Sequence, residues 1–210
     1  MIENIHSICT SKQLRMITSI VQIGDSVYNE LTSKNTYVFD HKYMLGEKKR
    51  MYTKLVYMQC ETESKSLEFP FGFRERKLPF GQKIPELYTD NCIMHFAPSQ
   101  STDILPSYAK YKKVFSERNR AIGRQLVFNE LEDKKMTVKD EAYYALIAFG
   151  KKNGNLFIML QFPEPEYRGI AYNFIIPQLV LAEERETFKR KQAGLKEKYL
   201  NESKKEGDDK

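Results

Sequence analysis

Between Ser11 and Ser33, apolar residues fall at Leu14, Ile17, Val21, Val27 and Leu31, close to the helical repeat, and Thr10 or Ser11 stands ready to cap the start. This predicts an N-terminal helix broken at Asn35. The runs TYVFDHKYML and RMYTKLVYMQCE are β-rich in composition and separated by GEKK, which predicts two strands in a hairpin. In the stretch around FPFGFRERK, a period of two puts Leu67, Phe69, Phe71 and Phe73 on one face and Glu68, Pro70, Gly72 and Arg74 on the other. The prolines of KLPFGQKIPEL predict turns rather than a regular element; NCIMHFA reads as a short strand ending at Pro98, and Ser99 to Pro106 as a loop.

Helical spacing returns at Tyr108, Tyr111, Phe115, Ile122, Leu126 and Leu131, which predicts one middle helix or a pair broken near Gly123. After the polar EDKKMTVKDE come YYALIAFG and NLFIMLQF on either side of KKNG. Asn153-Gly154 supplies the positive φ angles of a tight turn, so a hairpin is predicted over 143–162, followed by a strand over 169–176. Pro177 stops that strand and opens a C-terminal helix from Gln178 to about Leu200, with Glu early and Lys late to complement the helix dipole. The class is therefore α+β: a mainly antiparallel sheet, with further strands within 36–97, packed with N-terminal, middle and C-terminal helices. One domain is expected over 1–200, with residues 201–210 as a polar, disordered tail.

Composition narrows the setting. Hydrophobic residues make up 41% of the chain and aromatic ones 12%, too much apolar material for a disordered chain. The apolar runs stop well short of the roughly 20 residues that cross a bilayer, and the N-terminus has no secretory pattern. The odd count of three cysteines, Cys9, Cys60 and Cys92, suits reduced thiols, so a cytoplasmic location is expected.

Charge is uneven. Lys42 to Arg124 holds 16 Lys or Arg against nine Asp or Glu, a surplus of seven, while the whole chain carries +6. A basic middle segment points to a polyanion such as DNA or RNA. Two clusters carry it: Arg74, Arg76 and Lys77, near Lys83 and Phe80, and then YAKYKKVFSERNRAIGR, in which Lys113, Arg120 and Arg124 share a helical face with Glu117. Phe71-Gly72-Phe73 matches the centre of the RRM signature. Phe69 and Pro70 replace its basic-Gly start, Arg74 its core aliphatic and Arg76 its last aromatic, and the order of elements differs, so the phenylalanines are read as core.

Other chemistry is thinner. Asp40, Glu63 and Lys65 follow the order of a PD-(D/E)xK nuclease, the one reading that would call for Mg2+; no cofactor is otherwise expected. His6-x-x-Cys9 and Cys92-x-x-His95 have ligand types for zinc, but three-residue spacing on an extended run points the second pair to opposite faces, and no metal site is expected. Phosphate loops, GxSxG elbows and HExxH pairs are absent from the sequence. On the last helix, Leu181, Phe188, Leu195 and Tyr199 form a narrow stripe suited to a partner or to self-association. The leading expectation is a non-enzymatic nucleic-acid-binding protein. The alternative is a protein-interaction module or inhibitor acting through aromatic surface and the C-terminal helix, and the nuclease comes third.

Overall fold

The computed structural model describes Ile5, residues 8–120, Ile122, residues 142–177 and residues 185–208. The chain forms two compact units, one from Met1–Leu14 and Pro70–Pro177, the other from Arg15–Phe69 and Gln178–Lys210. The class is α+β, as the sequence predicts.

The first unit is built on a six-stranded sheet of order β1 to β6: β1 (Gly72–Lys77), β2 (Lys83–Tyr88), β3 (Cys92–Pro98), β4 (Tyr143–Lys152), β5 (Asn155–Pro163) and β6 (Ile170–Ile175). Neighbours pair antiparallel except β3 and β4, which run parallel with Cys92 opposite Tyr143 and His95 opposite Leu146. Residues Tyr144 to Gly150 of β4 are all buried, so both faces of this central strand are covered, which is why it reads as a continuous apolar run. The 143–162 hairpin turns at Asn153 and Gly154, with φ of 52° and 80°, where the sequence places it. Across one face lies a short helix, α4 (Lys110–Ser116), extended by a 3-10 turn at Glu117–Asn119.

Two readings of the sequence around the sheet change. The run from Leu67 to Phe73 is not one strand face: β1 begins only at Gly72, and Leu67 is fully exposed. KIPELY is a strand despite Pro85. β3 pairs with β2 only from Glu86 to Tyr88, so Pro85 faces β1 alone and its missing N–H breaks no bond to β3.

The second unit is helical, with most of α1 (Ser11–Lys34), α2 (Thr36–Phe39), a 3-10 turn at Lys42–Met44, α3 (Leu45–Glu63) and α5 (Arg185–Asp208). The hairpin expected from TYVFDHKYML and RMYTKLVYMQCE is thus helical. Met51, Leu55, Val56, Gln59, Cys60 and Glu63 are buried at spacings of three and four, a helical stripe that the β-rich composition masked. Ile23, Val27 and Leu31 of α1 meet Met51 and Leu55 of α3 and Leu195 of α5. At Gly24 an added Cβ would lie 2.8 Å from Val56, so α1 and α3 cross closely where glycine removes the side chain.

Candidate nucleic-acid interface

Register brings the first basic cluster onto a buried acid. On the sheet face under α4, Arg74 of β1 stands opposite Glu86 of β2, and Glu86 stands opposite His95 of β3. Directly opposed residues share a face, so the three form a row across the strands. Glu86 and His95 are fully buried, whereas the side chains of Arg74 and Arg76 remain 57% and 31% exposed.

The Glu86 carboxylate receives three donors. Arg74 Nε donates to Oε1; Arg76 Nε, at 2.6 Å, and His95 Nε2, at 2.8 Å, both meet Oε2. With Nε2–H given to the carboxylate, His95 Nδ1 is left to accept from the Tyr144 hydroxyl at 3.1 Å. Burial alone would raise the Glu86 pKa, but the hydrogen bonds from His95, Arg76 and Arg74 outweigh it and hold the carboxyl down at about 2. His95 is held below its usual value because burial disfavours the imidazolium more than Glu86 favours it.

Aromatic packing completes the site. The rings of Tyr111 and Phe115 meet His95 edge-on at 5.4 and 5.1 Å, and Phe115 also lies 5.1 Å from the Tyr144 ring. The guanidinium of Arg76 lies 4.5 Å from the centre of the Phe115 ring and that of Arg118 5.9 Å from it. Arg76 of the first basic cluster and Arg118 of the second therefore meet on one aromatic ring. Asn119 anchors the turn that carries Arg118: its amide accepts from the Tyr144 N–H at 2.9 Å and donates to the carbonyls of Tyr144 and Pro163 at 2.9 and 2.8 Å.

The remaining candidate cations are placed differently. Lys77 follows Arg76 on β1 and so lies on the opposite face, across from Lys83. Lys113 is exposed on α4. Arg120 is paired with Glu117 at 2.6 Å. The shared helical face expected for Lys113, Glu117, Arg120 and Arg124 is not formed by α4, which ends at Ser116, and Arg124 lies outside the described residues.

The nuclease constellation does not assemble. Asp40 pairs with Lys48 in the first turn of α3, whereas Glu63 ends that helix, about 22 Å further on by helical rise. Glu63 is buried against Gln59 and Lys191, and Lys65 pairs with Glu61 in solvent. No cluster of three or more His, Cys, Asp or Glu able to hold a metal occurs among the described residues. Cys92 and His95 do point to opposite faces of β3, and His6 lies outside the described residues.

Of the partner-binding stripe, the two described side chains pack inward. Leu195 is 2% exposed in the core of its own unit, and Tyr199 packs against that core. Leu181 and the side chain of Phe188 lie outside the described residues.

Glu86 and Tyr144 belong to the site without any motif in the sequence to mark them, and His95 stands out there only as half of a zinc-type pair. The one available signal was alternation in KIPELY, which sets Glu86 beside Ile84 and Tyr88 on a face shared with Arg74 and Arg76. No helix among the described residues is long and apolar enough to cross a membrane. Comparison of the chain with protein-family models, with curated proteins and with solved structures finds no match.

Proposed function

We propose that the protein binds nucleic acid without catalysing a reaction, through the arginine cluster at the β1 edge of the sheet. The observation that carries this reading is the fixing of Arg74 and Arg76 through Nε by one buried carboxylate. That bond sets both guanidinium planes and leaves the terminal nitrogens without a partner among the described residues. Two guanidiniums, Arg74 and Arg76, face the single Glu86 carboxylate, and Arg118 adds a third over the Phe115 ring, so the cluster carries surplus positive charge. Rigid, partly desolvated guanidiniums suit phosphate oxygens better than lysines do, because the planar fork loses less freedom on binding. The three buried thiols fit a reducing, cytoplasmic setting.

Fluorescence anisotropy with labelled DNA and RNA oligonucleotides over a salt series tests the reading. Affinity should fall steeply with salt, and Arg118→Ala should weaken binding and flatten the slope by about one unit. Wild-type protein that leaves both oligonucleotides free at low salt would end it.

A further inference from the structure

Beside the arginines, on the same face, lies an exposed ring. Tyr88 of β2 stands opposite Gly72 of β1, two paired positions from Arg74 and Glu86 and so next to them on the same face. Its ring occupies the space a side chain at residue 72 would need: a Cβ there would lie 2.0 Å from Cε2 and 2.2 Å from Cζ. Glycine thus lets the tyrosine lean over the edge strand, supported from below by backbone. Unlike Phe115 and Tyr144, which the site buries, Tyr88 keeps 43% of its surface in solvent.

We propose that the site takes single-stranded nucleic acid, with one base stacked on Tyr88 and the neighbouring phosphates held by Arg74 and Arg76. The inference rests on the nucleic-acid reading above and names the form of its ligand. Along β1 the three stations, the ring over Gly72, then Arg74, then Arg76, succeed one another every second residue, about 6.8 Å apart. A duplex offers this face phosphates and groove edges but keeps its base faces stacked inside. A single strand offers a phosphate and a free base face at each nucleotide, and an exposed ring next to fixed guanidiniums matches both. The stacked base needs no sequence-specific contact, so the preference is for strandedness rather than for sequence.

Anisotropy titrations with a short labelled single strand and the matching duplex, at low salt, test it. The single strand should bind more tightly. Tyr88→Ala should weaken that binding by about tenfold, leave the duplex titration unchanged and keep the circular dichroism spectrum. Tyr88→Phe, which keeps a ring, should bind like wild type, and Tyr88→Leu, which keeps apolar bulk without a π face, should behave like the alanine variant. Equal binding of both forms, or a folded Tyr88→Ala or Tyr88→Leu protein with undiminished affinity for the single strand, overturns the stacking site while leaving the nucleic-acid reading in place. Binding of neither form overturns both.

Discussion

Glu86 ties β1, β2 and β3 of the first unit together through its side chain. It is a fully buried carboxylate answered by two arginines and a histidine, and each donor would lose a charged or polar partner if it were removed. Deleting the carboxylate leaves the buried His95 N–H without an acceptor, while the partly exposed arginines can turn to water. Glu86→Ala is therefore expected to lower unfolding stability by about 1–3 kcal/mol in urea titrations. A change well under 1 kcal/mol would mean that solvent reaches His95 freely. The sequence held little warning of this role. An acid between apolar neighbours in KIPELY looks like any solvated carboxylate until the register sets Arg74 and His95 on either side of it, and register is a property of three strands at once.

Among the elements, the β4–β5 hairpin was legible because local chemistry and pattern agree: two apolar runs flank Asn153-Gly154, a dipeptide that accepts positive φ twice. Gly154→Val should destabilise the protein by about 1–2 kcal/mol, the cost of forcing a residue with a Cβ into the left-handed region. No atom lies within 4 Å of the added Cβ, so the loss would come from the backbone alone, and Gly154→Asn should recover much of it. An unchanged melting temperature for the valine variant would count against this account. α3 was illegible for the opposite reason. Its Tyr, Val and Thr content favours a strand while its buried positions repeat at three and four, and the partner that rewards the helical repeat comes partly from α5, over a hundred residues later. Leu195 is that late contribution. Leu195→Ala should cost about 2–5 kcal/mol, as for other buried leucines, and a chain cut after Gln192 should lose stability rather than only a binding partner. Thermal denaturation indistinguishable from wild type would return α5 to the role of a docking helix.

For the whole molecule, acid is the informative variable. In the sheet unit Glu86 is held at about 2, and in the helical unit hydrogen bonds from Lys196 and Lys34 hold Glu30 at about 2, against an ordinary value of 4.5 for both. Groups whose pKa is depressed on folding contribute stability that is complete above the unfolded value and is lost as pH falls through the folded one. His95, also depressed, acts in the same direction from its ordinary 6.5 downward. Melting temperature should thus decline from about pH 6 and fall steeply between about pH 4.5 and 2. The decline below pH 4.5 should be smaller in Glu86→Gln, once its own lower starting stability is taken into account. A flat profile from neutral pH to 3 would contradict both placements. The single parallel seam in the sheet has a kinetic side. Each of the meanders β1–β2–β3 and β4–β5–β6 closes through short local links, but β3 can meet β4 only when the chain from 99 to 142 is drawn into one loop. Loop closure is an entropic toll exacted before the pairing can repay it, so the two meanders are free to form early and the seam sets the pace at which the sheet becomes whole.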